Sequence, residues 1–200
     1  MKIRFKRIGT AVLSVMVLTG CFGTPDKEGW RSSQKDEFLE ILETDKYASI
    51  CNQQALYENI KESENSRLMS KLLIAYTKNL ANGCIVNPSQ FIKKGEKNVA
   101  EYGVYLQEVK ASNIMRALKA GQSINAILKP YVPKYNQFDQ LVQNYAFAKK
   151  DPKVSTSTLH KMRLNIERVK LMKADIGNNY ALVNIPEFMV RIIEDEKTAV

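Results

Sequence analysis

The spacing of apolar residues over residues 66–81 is the sequence feature that most constrains the fold. Leu68, Leu72, Tyr76 and Leu80 recur every four residues. This spacing places their side chains on one face of an amphipathic α-helix. Similar patterns occur before and after this segment, and 44% of the chain is hydrophobic, which is enough to bury a core. We therefore expect a mainly α protein.

Strand-like sequence is confined to residues 178–200. Ala181-Leu182-Val183 and residues 188–193 are rich in β-branched and aromatic side chains, with Pro186 between them. A proline at that place removes no hydrogen bond from a strand ladder. The expected fold class is thus a multi-helix scaffold domain followed by a C-terminal β-hairpin.

The first twenty residues have the pattern of a secretory signal. Four basic residues lie within the first seven positions, and residues 8–18 carry no charge. That stretch is short for a membrane span and suits a signal-peptide core. The LTGC tetrapeptide ending at Cys21 resembles the lipobox of bacterial lipoproteins, which implies cleavage before Cys21 and lipid attachment to it. The alternative is an ordinary cleaved signal with an unrelated cysteine. Phe22, rather than Asp, follows the cysteine, which favours the outer membrane over the inner membrane.

The charge and the remaining cysteines fit an extracytoplasmic protein. Removing the predicted signal would leave 26 of the 30 basic residues against 21 acidic ones. This modest excess predicts no nucleic-acid partner and permits weak attraction to anionic wall polymers or lipid head groups. Cys51 and Cys84 either pair or remain free thiols. A disulfide between them would close a loop of about thirty residues and stabilise the fold by roughly 3 kcal/mol.

The most specific pattern lies between Met162 and Asp195. This segment resembles the entry to the catalytic domain of the large L,D-transpeptidases that cross-link peptidoglycan. Their pattern is approximately L-R-x-N-x-E-R-W-R-W, a short turn, and Y-x-x-V-N-I-P-x-F-x-x-x-x-x-E. The matching positions are Arg163, Asn165, Glu167, Arg168, Tyr180, Val183, Asn184, Ile185, Pro186, Phe188 and Glu194. Val169 and Leu171 stand where those enzymes usually have tryptophans, and the helical segments from about residue 36 resemble the family's scaffold domain.

The resemblance implies structural roles for the helix and the hairpin that carry the motif. The helix would pack the scaffold domain against the catalytic domain through Arg163, Asn165, Glu167 and Arg168. Since Arg163 and Glu167 are four residues apart, we expect them to form a surface or interdomain ion pair. The hairpin motif would consist of Tyr180, Asn184, Ile185, Pro186 and Phe188.

The residues that carry the family's chemistry have no counterpart here. Its nucleophilic cysteine lies in S-x-G-C-[IVM]-R, preceded by a histidine, and both come far downstream of the hairpin. The sequence stops at Val200, so we expect only the truncated start of a catalytic domain. Gly83-Cys84-Ile85 imitates the motif, but Val86 replaces the arginine, and the preceding helix end would raise the pKa of a thiol. We predict no catalytic residue, and a disulfide or buried thiol at Cys84.

No spacing of Cys, His and Asp predicts a metal site, and no motif predicts a cofactor. A metal site needs three or four ligands, whereas His160 is the only histidine. We expect His160 to be a partly exposed polar residue of its helix.

Together these patterns predict the domain organisation and a function in the cell envelope. The organisation is a signal peptide (1–20), a tether (21–35), a helical scaffold domain (36–148), a linker (149–155), a connecting helix (156–177) and a truncated start of a catalytic domain (178–200). The expected function is that of a non-catalytic L,D-transpeptidase-like lipoprotein, anchored by lipid and facing the periplasm, with a role in peptidoglycan cross-linking and cell-wall organisation. One alternative is a non-enzymatic lipoprotein that binds peptidoglycan or a wall enzyme. Another is the N-terminal part of a split or incomplete active L,D-transpeptidase.

Overall fold

The protein is mainly helical and carries a small sheet at its C-terminal end. The computed structural model describes residues 24–84, 106–172, 177–184, 188–195 and 197–199. The helices in these ranges are α1 (Ser32–Thr44), α2 (Gln54–Ser63), α3 (Ser66–Asn82), α4 (Ala111–Lys119), α5 (Ile124–Leu128), α6 (Asn136–Ala148) and α7 (Thr156–Lys170). Short 3-10 helices span Cys51–Gln53 and Lys129–Tyr131. The strands are β1 (Tyr180–Asn184), β2 (Met189–Glu194) and β3 (Lys197–Thr198). The prediction of a mainly α protein is therefore confirmed.

The helices share one hydrophobic core. Its buried side chains include Trp30, Phe38, Tyr76, Ile114, Phe138 and Ile166. Phe38 lies at its aromatic centre, stacked on Trp30 at 5.7 Å between ring centroids and edge-on to Tyr76 at 6.3 Å. Both arrangements are favoured by the ring quadrupoles. None of the helices in the described ranges is both long and apolar enough to cross a membrane.

Helix α3 confirms the helix predicted from the apolar spacing over residues 66–81. The side chain of Asn65 caps its N-terminus by accepting hydrogen bonds from the backbone N–H groups of Arg67 and Leu68, at 3.0 and 3.2 Å. The helix ends before Gly83, whose φ of +71° favours glycine. Leu72, Tyr76 and Leu80 are fully buried, as their spacing requires.

The structure differs from the predicted tether over residues 21–35. Helix α1 begins at Ser32, and Trp30 is only 1% exposed. The indole Nε1 of Trp30 donates to Ser70 Oγ at 2.9 Å, which fixes this segment against α3. The Gly, Pro and charge content of residues 22–30 suggested an unpacked tether. Residues 24–31 do lack helix and strand, but burial of one large aromatic side chain holds the segment against the core. The predicted signal peptide and Cys21 lie outside the described residues.

Helix α7 belongs to the helical body. Residues 149–155 form the loop between α6 and α7, where a linker was predicted. Helix α7 ends at Lys170, and Ile166 is fully buried in the shared core. The predicted connecting helix over 156–177 is thus shorter than expected and packs against α6 and α3.

The C-terminal strands form an antiparallel sheet in the order β1-β2-β3. Tyr180 pairs with Ile193 and Asn184 with Met189, so the β1–β2 hairpin matches the prediction. The short strand β3 was not predicted; a two-residue strand has no detectable alternation of side chains. Of the hairpin motif, Ile185 and Pro186 lie outside the described residues.

Candidate functional site

Helix α7 carries four of the predicted structural residues and divides them between its two faces. Arg163 and Glu167 are mostly buried on the face that contacts α3 and the loop after α1. Asn165 and Arg168 are exposed on the face next to α6. The periodicity of 3.6 residues per turn causes this division, because positions two residues apart point in different directions.

A cluster of charged groups surrounds Glu167 on the inward face. We define the Glu167 cluster as Asp45, Arg163, Glu167, Lys170 and the Cys51–Cys84 disulfide. The Glu167 Oε1 atom lies 2.8 Å from Arg163 Nε and 3.4 Å from Lys170 Nζ, and Arg163 Nη1 lies 3.9 Å from Asp45 Oδ2. The predicted ion pair between Arg163 and Glu167 is therefore present. It lies within the helical body.

The second carboxylate oxygen of Glu167 binds the backbone at the end of α3. The N–H of Cys84 donates to Glu167 Oε2 at 2.6 Å. A Cβ atom on Gly83 would lie 2.9 Å from the same oxygen. Glycine is therefore required at position 83 both for its backbone conformation and for the close approach of the carboxylate.

The structure joins Cys51 and Cys84 in a disulfide with a Cα–Cα distance of 5.9 Å. The bond links the segment after α1 to the end of α3. Arg163 Nη2 lies 3.0 Å from Cys84 Sγ and 3.4 Å from Cys51 Sγ. Of the two alternatives that the sequence left open, a disulfide or free thiols, the structure has the disulfide, and a disulfide sulfur is not a thiolate nucleophile.

Lys170 was not predicted as a site residue. Its side chain is fully buried, and its Nζ donates to Ala48 O at 2.6 Å and Ser49 Oγ at 3.1 Å. Burial lowers the pKa of Lys170 to about 8, although the carboxylates of Glu167 and Asp45 act in the opposite direction. The sequence does hold a signal for it, because Arg163, Glu167 and Lys170 follow one another at steps of four and three residues on one helical face.

The backbone conformation of the loop between α1 and α2 provides a hydrogen-bond acceptor for Lys170. Asp45, Ala48 and Cys51 have φ angles of 45°, 48° and 55°, which are uncommon for residues other than glycine. The carboxylate of Asp45 accepts hydrogen bonds from the N–H groups of Ser49 and Ile50 at 2.7 and 3.1 Å. This tight turn directs the Ala48 carbonyl towards Lys170.

The outward face of α7 lines an open groove with α6. We define the amide groove as Gln137, Gln140, Asn144, Asn165 and Arg168 above the apolar side chains Leu141 and Val169. Arg168 Nη1 donates to Asn165 Oδ1 at 3.0 Å. Among the described residues that line the groove there is no carboxylate. The groove therefore offers amide donors and acceptors together with one guanidinium to a ligand.

The C-terminal sheet exposes apolar side chains. Phe188 is 94% exposed at the turn, and Val183, Met189 and Val190 are each about half exposed or more. Tyr180 is partly buried, and the side chain of Asn184 lies outside the part of the chain that the structure describes. Of the hairpin motif, Tyr180 and Asn184 therefore lie in β1 and Phe188 lies at the turn.

His160 is exposed on α7. Within the described ranges, no group of three or more His, Cys, Asp or Glu side chains is placed to hold a metal ion.

No protein-family model, curated protein or solved structure matches this chain.

Proposed function

We propose that this chain is a non-catalytic, L,D-transpeptidase-like lipoprotein of the cell envelope that binds peptidoglycan through the amide groove. Cys21 would carry the lipid and hold the helical body at the membrane on the periplasmic side. The relationship to the transpeptidases rests on the motif residues between Met162 and Asp195. The disulfide supports the location, since such bonds persist in oxidising compartments.

The observation that carries the proposal is the placement of two motif residues, Asn165 and Arg168, in the amide groove. Peptidoglycan presents hydroxyl groups, acetamido groups and peptide carboxylates. Amide side chains both donate to and accept from the first two, and a guanidinium binds a carboxylate with a charge-assisted hydrogen bond. Leu141 and Val169 supply an apolar floor for the faces of sugar rings.

Sedimentation with purified sacculi tests this proposal. The chain would carry Cys21→Ser, so that it is free of lipid, and would be compared with the same chain bearing Arg168→Ala. We expect Arg168→Ala to weaken binding about tenfold, since a hydrogen bond to a charged group contributes about 1.5 kcal/mol. Lys161→Ala is the matched control, because Lys161 is an exposed cation of α7 outside the groove. Equal losses in both variants would indicate non-specific charge attraction, and failure of the parent chain to sediment would reject the proposal.

The absence of catalysis is tested separately. Incubation with a tetrapeptide donor and with a carbapenem, which acylates the family's nucleophilic cysteine, should give neither product nor adduct. The expectation follows from the disulfide at Cys84. An adduct mapped to Cys84 would contradict it.

A second proposal rests on the exposed apolar residues of the sheet. Val183 and Val190 are directly opposite each other on β1 and β2 and therefore share one face of the sheet. This face would be covered if a wall enzyme, or the remainder of a transpeptidase catalytic domain, packed against it and extended the sheet by pairing a strand with β1. The DNA beyond codon 200 distinguishes these partners. A reading frame encoding S-x-G-C-x-R there would favour the split-enzyme alternative over a separate wall enzyme.

A further inference from the structure

The contact between Arg163 and the disulfide has no role in the proposed binding function. The guanidinium is held in place by Glu167 on its Nε and faces Asp45 with its Nη1. Its remaining nitrogen, Nη2, lies 3.0 Å from Cys84 Sγ and 3.4 Å from Cys51 Sγ. A neutral disulfide gains little from a nearby cation, whereas a thiolate gains a charge-assisted hydrogen bond.

We propose that Cys51–Cys84 is a site of thiol–disulfide exchange with a dithiol protein, in which Cys84 is the leaving sulfur. A partner thiolate attacks Cys51 Sγ and forms a mixed disulfide. The Cys51–Cys84 bond breaks, and its electron pair stays on Cys84 as a thiolate bound by Arg163. The partner's second thiol loses its proton and attacks the mixed disulfide, which releases Cys51 as a thiolate that takes up a proton. Two electrons thus pass from the dithiol to the cysteine pair, and a partner disulfide reverses the steps.

Neither cysteine residue is buried, as this exchange requires. Cys51 and Cys84 are partly exposed, in contrast to the buried core beneath them. Exchange rates depend on access and on how well the leaving thiolate is stabilised. Arg163 lies nearer to Cys84 than to Cys51, so the two possible directions of attack are unequal.

Other charged groups near Cys84 disfavour a thiolate, and the contact with Arg163 must outweigh them. The carboxylate of Glu167 binds the Cys84 N–H at 2.6 Å, and the end of α3 adds partial negative charge. Both act against a thiolate on Cys84. The buried amine of Lys170 also belongs to the cluster, and with Arg163 it balances Asp45 and Glu167. Direct contact with the guanidinium is therefore the interaction that favours the thiolate.

The helical body has other contacts that would hold the segment after α1 against α3 once the Cys51–Cys84 bond is reduced. Asn79 Nδ2 donates to Ser49 O at 3.0 Å, and the Tyr47 N–H donates to the Tyr76 hydroxyl at 3.1 Å. Lys170 binds the same loop from α7. Reduction would therefore remove one link among several, and the reduced protein would remain folded.

The first test is the rate of reduction by dithiothreitol of the chain bearing Cys21→Ser, followed by thiol alkylation and mass spectrometry. Arg163→Gln should slow reduction about tenfold, because the leaving thiolate loses its cation. Arg163→Lys should recover part of the rate. A purely structural role predicts the opposite sign, since a loosened fold exposes the disulfide and speeds its reduction. Unchanged or faster reduction in Arg163→Gln therefore overturns the proposal.

Two further measurements need no change at Arg163. Trapping the first intermediate with a monothiol should place the adduct on Cys51, and an adduct on Cys84 would overturn the assignment of the leaving sulfur. In a Cys51→Ser variant, the pH dependence of Cys84 alkylation should give a thiol pKa below the ordinary value of about 8.5. A pKa at or above that value rejects the role of Arg163. Neither result depends on binding to sacculi. Failure of this exchange can therefore be told apart from failure of the proposed peptidoglycan binding.

Discussion

The Glu167 cluster and the C-terminal sheet depart from the usual distribution of side chains in opposite ways. The cluster buries charged groups inside the helical body, whereas the sheet exposes Val183, Phe188 and Val190 to solvent. Burial of a charge is tolerated only with partners, and each charge of the cluster has one within 4 Å. Among the described side chains of the strands, only that of Ile193 is buried. Substitutions should therefore cost far more stability in the cluster than in the sheet.

The largest effect is expected from Glu167→Gln. This change leaves Arg163 and Lys170 without their shared carboxylate and should lower the free energy of unfolding by about 4 kcal/mol. Urea denaturation followed by circular dichroism measures the loss. Glu194→Gln on the exposed strand β2 is the matched control and should cost less than about 0.5 kcal/mol. Comparable losses in both variants would remove the distinction between the two regions.

Removal of the disulfide should have the second largest effect on stability. Replacing Cys51 and Cys84 by alanine should lower the free energy of unfolding by roughly 3 kcal/mol, because the unfolded chain regains its conformational freedom. The double variant should keep the helical circular dichroism spectrum of the parent. Loss of the folded spectrum at neutral pH would show that the remaining contacts of the cluster cannot hold the loop.

The buried amine of Lys170 predicts that the free energy of unfolding depends on pH, with a change similar in size to the effect of the disulfide. Its pKa is about 8 in the folded protein against 10.5 for the ordinary group, so between these values the unfolded chain binds more protons. Stability attributable to Lys170 therefore rises with pH across this window, by an amount of the order of 3 kcal/mol. The measurement is the free energy of unfolding of the parent minus that of Lys170→Met at pH 7 and pH 10.5.

That difference also cancels the titration of Tyr76. Burial raises the pKa of Tyr76 well above its ordinary value of 10.0, so its contribution to stability falls as the pH rises above about 10, and this loss is shared by both proteins. A difference that stays constant or falls between pH 7 and pH 10.5 would contradict the burial of a charged amine at position 170.

The smallest effect is expected in the sheet. Phe188→Ser should change the free energy of unfolding by less than about 0.5 kcal/mol, because the ring is 94% exposed and buries almost no area on folding. Phe38→Ser, in the core, is the control and should cost several kcal/mol. A large loss in Phe188→Ser would mean that the ring is covered in solution.

Much of the local structure could be predicted from the sequence. The four-residue apolar spacing predicted α3, and the β-branched stretches predicted the hairpin. The four-residue separation of Arg163 and Glu167 predicted their ion pair. Each of these signals depends on residues close together in the chain, where backbone geometry alone brings side chains into contact.

The remaining features depend on contacts between distant segments. Trp30 packs against α3, forty residues away at Ser70, so the composition indicated the irregular backbone of this segment but not its packing. Lys170 binds Ala48 at a separation of 122 residues, and no local pattern names that partner. The amide groove exists only because α6 and α7 pack side by side.

The sequence by itself determined the helical class, the position of the hairpin and which residues of α7 would carry charge. Only the tertiary structure decided that Arg163 and Glu167 face the disulfide while Asn165 and Arg168 face the amide groove. The physical reason is that helical periodicity sets the angle between side chains, but the packing of neighbouring segments decides which face is buried.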